Sequence, residues 1–182
     1  MSTPAVARPL ALLPNALTLA RFGLIPVFVV LVLRSDNGYS RVAAAVFAVA
    51  AITDQVDGFL ARRWSVESEF GKYADPLADR LMIDAAIVLL WLEGRLPAAA
   101  LAIIIARDVV LVGGSRFAIK RGYDFEVSLL GKTATWVLYA SIVFVLATPD
   151  GTEWPLWFFW TGLGLAVLAG ADYVIRVWRA IR

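Results

Sequence analysis

Neither cysteine nor histidine occurs among the 182 residues, and methionine occurs twice. Without thiols there is no disulfide framework and no thiolate zinc site, and the redox state of the compartment leaves no mark on the chain. Without imidazoles as well, serine–histidine and cysteine–histidine catalysis are excluded. Any metal site must then be built from oxygen ligands, which favours Mg²⁺, Mn²⁺ or Ca²⁺ over zinc or copper. Also missing are a Ser/Gly-rich linker, a block of like charge and a repeat of solenoid period, so the chain reads as one domain over residues 1–182.

What the chain has in excess is apolar surface. Hydrophobic residues make up 60% of it and the mean hydropathy is +0.75, against about 45 to 50% apolar residues in soluble domains. Apolar stretches lie at Ala16 to Leu33, Val42 to Leu60, Leu77 to Leu92, Leu96 to Val112, Thr133 to Ala147 and Trp154 to Ile175. Polar or turn-forming separators fall at Arg34 to Arg41, Arg62 to Pro76, Glu93 to Arg95, Gly113 to Lys132 and Pro149 to Glu153. A spanning helix needs roughly 20 residues. The pattern therefore predicts an all-α integral membrane protein with six transmembrane helices. The first stretch carries Arg21 and lacks a small-residue cleavage site after Leu33, so it reads as retained and not as a cleaved signal. Met1 to Pro14 is expected to form a juxtamembrane helix along the membrane surface.

Basic residues are unevenly divided. Arg8, Arg62, Arg63, Lys72, Arg80, Arg116, Lys120, Arg121, Lys132, Arg176, Arg179 and Arg182 fall on the side of the N-terminus, and only Arg34, Arg41 and Arg95 fall on the other. Cytoplasmic loops carry the excess of Lys and Arg, so both termini and the connections after the second and fourth helices are expected to face the cytoplasm. The net charge of +2 conceals this division. The seven tryptophans, notably Trp154, Trp157, Trp160 and Trp178, read as interfacial and lipid-facing residues, and no basic-aromatic surface points to nucleic acid.

Ionisable groups within or beside a bilayer are functional candidates by default. The second segment ends with Asp54 and Asp57, and the third begins with Asp75 and Asp79. Residues three or four apart share a helix face, so each helix presents two carboxylates on one side. A short connection makes the two helices antiparallel neighbours and gathers four carboxylates at one depth. Such anions need a cation between them. Hard divalent ions sharing carboxylates supply one, and structural pairing of Asp57 with Arg62 or Arg63 is the competing account. Gly58 and Ala61 keep the acidic face low, which lets a ligand approach the backbone or simply allows close helix packing. Gly71 is expected in a turn between the helices, and Asp75 before Pro76 is expected at a helix start.

Asp54, Asp57, Gly58, Ala61, Arg62, Gly71, Asp75 and Asp79 reproduce D-x2-D-G-x2-A-R-x8-G-x3-D-x3-D, and on this the chain resembles the CDP-alcohol phosphotransferases. Eight specified positions match by chance at about 10⁻¹⁰ per starting point with average residue usage. The run Pro14 to Arg21 and the stretch Thr53 to Asp79 resemble the phosphatidylglycerophosphate-forming branch of that family. The resemblance implies transfer of a phosphatidyl group from CDP-diacylglycerol to an alcohol, with release of CMP. It implies two Mg²⁺ or Mn²⁺ ions held by Asp54, Asp57, Asp75 and Asp79, with Asp79 also the general base. It further implies a CDP pocket of Asp54, Gly58, Ala61, Arg62 and Gly71, a homodimer, and a place in the cell membrane with the active site on the cytoplasmic side.

The acceptor must be read outside the signature. Arg107 either pairs with Asp108 or Asp84, holding helices together, or forms a fork for an acceptor phosphate. Arg116 and Lys132 either complete a phosphate clamp or are ordinary inside-positive residues. A clamp of all three suits glycerol 3-phosphate. The phosphatidylglycerophosphate-forming branch often carries G-K-x-K-T at the start of the fifth helix, whereas this chain reads Gly131-Lys132-Thr133-Ala134-Thr135. The missing second lysine keeps open a cardiolipin-forming member that uses phosphatidylglycerol. An ion or solute transporter is the rival from another class, and it is disfavoured because the acids gather at one depth and do not form a path across the membrane.

Overall fold

The computed structural model describes residues 8–64, 69–120 and 128–181, with side chains described at 16–53, 78, 80–111, 113, 114 and 128–179. The described chain is helical: α1 (Arg8–Leu33), α2 (Arg41–Trp64), α3 (Glu69–Leu92), α4 (Ala98–Lys120), α5 (Leu129–Ala147) and α6 (Trp154–Ile181). Among the described residues, three helices are long and apolar enough to cross a membrane, at Ala16–Leu33, Leu129–Ala147 and Trp154–Arg179. That is the build of a membrane protein.

The expected segments correspond to the six helices, but the agreement differs at the two ends of the bundle. At the end holding the short connections 34–40, 93–97 and 148–153, here the loop end, apolar stretches and helices stop within two residues of each other. At the opposite end, the signature end, every helix runs four to eight residues beyond its apolar stretch, or about 6 to 12 Å. Three expectations are corrected there. Residues 8–14, expected as a separate surface helix, are continuous with α1, while Met1 to Ala7 lie outside the described residues. Gly71 and Pro76, expected at a turn and a helix start, lie inside α3, which begins at Glu69. Polar composition marked a loop where the helix in fact persists, because backbone hydrogen bonding does not require apolar side chains once a helix is under way.

Helix packing places α1 against α2 and α3, α5 against α2 and α6, and α4 chiefly against α6. The core runs through Phe28, Phe47, Ile87, Leu90, Ile142, Leu146 and Phe159, all buried. Ring contacts Phe28–Phe47 at 5.6 Å and Phe47–Tyr139 at 5.8 Å link α1, α2 and α5. Gly162 brings α6 close to α5, since a Cβ there would lie 3.0 Å from the Leu138 nitrogen. This glycine serves packing within the chain.

The loop end is fastened by polar bonds. Ser40 caps α2, its Oγ accepting from the Ala43 amide at 3.1 Å, and its own amide donates to the Leu146 carbonyl at 2.9 Å. Gly94, with φ +72°, ends α3: its amide donates to Trp91 and that of Arg95 to Leu90, a Schellman termination that requires the left-handed conformation. The turn aims Arg95 inward. Its guanidinium donates to the carbonyls of Val145 at 2.8 Å and Thr148 at 3.0 Å, reaches the Asn37 carbonyl at 3.4 Å, and lies 3.6 Å from Asp150. One buried side chain thus joins all three connections. Burial pushes its pKa below the ordinary arginine range, and the nearby Asp150 opposes that shift.

Candidate active site

The eight signature positions fall on two helices. Asp54, Asp57, Gly58, Ala61 and Arg62 occupy the end of α2, and Gly71, Asp75 and Asp79 the beginning of α3. Their side chains lie outside the described residues, so their placement is a matter of register. Along α2 the buried positions Ala43, Ala44, Phe47, Ala50 and Ala51 form the inward stripe, and steps of three and four from it arrive at Asp54, Asp57, Gly58 and Ala61. Along α3 the buried Ala78, Met82 and Ala86 form the matching stripe, with Asp75 three residues before Ala78 and Asp79 three before Met82. By spacing, each acid pair stands three or four residues from a buried position of its own helix. Thr53 stands at the last described side-chain position before them, its Oγ donating to the Val49 and Ala50 carbonyls of its own helix.

Alanine dominates both stripes, and this has a packing consequence. Small side chains let neighbouring helices approach closely, so these stripes suit close packing of α2 and α3 against their neighbours. Aspartate, with no imidazole or thiolate anywhere in the chain, is the residue type suited to hard divalent cations.

The three residues expected at the acceptor separate. Arg107 is half-buried in α4 and its Nη1 lies 3.2 Å from Asp108 Oδ1. The pair is made within one helix, and among the described residues Arg107 does not bridge to Asp84 on α3. Its Nε is buried without a hydrogen-bond partner among them. Lys132 is exposed in the first turn of α5, which starts at Leu129 after the cap Ser128, earlier than the apolar stretch at Thr133. The side chain of Arg116 lies outside the described residues. Ala134, standing where the G-K-x-K-T pattern has its second lysine, is fully buried.

Comparison with known proteins decides the class. A model of the CDP-alcohol phosphatidyltransferase family matches residues 11–168. The chain belongs to that family. Among its relatives, a Bacillus subtilis protein named CDP-diacylglycerol–glycerol-3-phosphate 3-phosphatidyltransferase is 30% identical over 93% of this chain and 97% of its own. Proteins of the same name from Escherichia coli K12 and Salmonella typhimurium LT2 are each 32% identical over 93% of this chain and 91% of theirs. The expectation of a membrane-bound CDP-alcohol phosphotransferase, an enzyme of phospholipid synthesis, is met.

Two polar residues escaped sequence reasoning as site or framework residues. In sequence Arg95 marks only sidedness, yet it fastens the loop end. Arg21, noted only as a charge within the first apolar stretch, is buried together with Thr18 one turn away. The available signal was an arginine inside, or next to, an apolar run, since such a charge must be satisfied by the protein.

Proposed function

We propose that this family member transfers the phosphatidyl group of CDP-diacylglycerol to glycerol 3-phosphate, giving phosphatidylglycerophosphate and CMP. One observation carries the reading: the complete eight-position signature, whose two acid pairs stand three or four residues from buried positions of α2 and α3. Relatives named for this reaction, matched over nearly their whole length, support the acceptor.

In this reading all six helices span the membrane, both termini face the cytoplasm, and the active site opens on that side of the cell membrane. The whole chain acts as one domain and pairs as a homodimer. Asp54, Asp57, Asp75 and Asp79 would hold two divalent cations, Mg²⁺ or Mn²⁺, which would supply charge neutralisation to the diphosphate and the departing CMP. Asp54, Gly58, Ala61, Arg62 and Gly71 shape the CDP pocket. Asp79 accepts the proton of the acceptor hydroxyl as its oxygen bonds to the phosphorus bearing the diacylglycerol. The bond from that phosphorus to the CMP oxygen breaks in the same in-line step, because the chain offers no histidine or cysteine as covalent intermediary. Arg107, Arg116 and Lys132 bind the phosphate of the acceptor.

A second reading, phosphatidylglycerol as acceptor and cardiolipin as product, draws on the buried Ala134 where a lysine is patterned. The test is an acceptor panel with purified protein, radiolabelled CDP-diacylglycerol and Mn²⁺. Release of CMP with glycerol 3-phosphate, abolished by a chelator and restored by Mn²⁺, is the expected result. Release with phosphatidylglycerol alone would select the second reading. Trapping of a phosphatidyl-aspartate would reject the single in-line step.

A further inference from the structure

Between α4 and α6 runs a groove of about 360 Å³ whose walls include Arg107, Val110 and Leu111 on one helix and Gly170, Ala171, Val174 and Ile175 on the other. Among the described residues, no polar atom faces it. Arg107 contributes only its stem, the Cγ lying 3.8 Å from where a Cβ on Gly170 would be, while its guanidinium turns to Asp108. Taking a methylene as no larger than a water molecule, at about 30 Å³, the groove has room for roughly a dozen. Its rim residues Val110, Val174 and Ile175 are exposed and merge with the apolar exterior of α6, one of the three candidate spans.

The stripe of α6 that lines the groove continues toward the signature end. Steps of three and four from Val174 and Ile175 reach Trp178 and Arg179, and both are exposed. An aromatic ring beside a cation in the last turn of a spanning helix is an interfacial arrangement, and the cation attracts anionic headgroups. An apolar channel therefore ends, on the same helix face, at a positive charge set at headgroup level. We infer that the α4–α6 groove binds one acyl chain of an anionic bilayer phospholipid whose headgroup rests at Arg179. This rests on the reading of α4 and α6 as membrane-spanning, and not on the catalytic assignment.

The proposal is tested with the full-length protein in phosphatidylcholine nanodiscs, doped with phosphatidylserine or phosphatidylcholine carrying a diazirine midway along one chain. Phosphatidylserine is neither donor nor acceptor in the proposed reaction, so its capture is separate from turnover. After irradiation, peptides covering 105–114 and 167–178 should carry more label than the lipid-exposed α1 peptide around Val27 and Val30. A Cβ at Gly170 meets only ordinary contacts, so Gly170→Leu should fold, fill the groove and bring its labelling down to the α1 level. Ala171→Leu should act in the same way and guards against a folding defect in the first variant. Arg179→Gln should remove about a fivefold preference for phosphatidylserine over phosphatidylcholine. Labelling spread evenly over lipid-facing helices and insensitive to both fillings would overturn the site. So would disulfide pairing of two Val110→Cys copies in place of lipid capture, and equal capture of both lipids would overturn the anionic headgroup. Label on α1, α5 and α6 but none on α4 would overturn the spanning reading of α4 along with the groove.

Discussion

At the loop end of the bundle, helices and apolar stretches stop together, and Ser40, Gly94 and Arg95 tie the three connections by named hydrogen bonds. At the signature end the helices outlast their apolar stretches, and charge replaces hydrophobicity along the sequence. The chain is the same, yet the two ends spend their polar groups differently. At one end a single cation is consumed by carbonyls and does no chemistry. At the other, the sequence places four carboxylates at signature positions near the ends of α2 and α3, the kind of cluster that marks a functional site. The contrast separates residues that hold the fold from residues that use it.

Substitutions can break that division, and the largest effect belongs to the signature end. Asp79→Asn should lower the rate of CMP release by at least about a hundredfold while the purified protein keeps its elution volume and melting temperature. If Asp79 were only a framework residue, stability would fall instead. Next in size, Arg95→Met retains the apolar stem but strands the Val145 and Thr148 carbonyls, at a cost of about 3 kcal/mol. The melting temperature in detergent should drop while the rate per folded molecule holds. Smaller again is Gly38→Ala. With φ at +70° and the added Cβ 3.0 Å from Glu93 Cβ, it should destabilise by about 1 to 2 kcal/mol, read as a shift in the same melting curve. Smallest is Asp150→Asn. The Asp150 side chain is 63% exposed, so its ion pair with Arg95 should contribute less than about 1 kcal/mol and fade with added salt.

How legible each end was in the sequence follows from the same physics. Gly38, Gly94 and Gly151 take positive φ in the three loop-end connections, and a glycine just past an apolar run, as Gly94 is past Leu92, is a readable stop. The signature end gave no such stop: Gly71 and Pro76 read as punctuation but sit within α3, because a helix supported along its length tolerates residues that would end a free one. The acid pairs were legible as a spaced pattern, and the structure adds their spacing from buried positions of α2 and α3. Arg95 was the least legible, because what it binds are backbone carbonyls, which every residue has and no sequence pattern advertises. Arg107 was read as two alternatives, and the observed bond to Asp108 shows the within-helix pair without removing its proposed duty to a phosphate.

Arg95 also bears on how the chain is assembled. Two of its acceptors, Val145 and Thr148, are 50 and 53 residues further along the chain, and a polypeptide is made from its N-terminus. When α3 and α4 have been made, the guanidinium has neither carbonyl available and must keep its water. Only after the α5–α6 hairpin arrives can the cation be desolvated and the loop end close. A single arginine thus makes closure of the first half of the molecule conditional on synthesis of the last third.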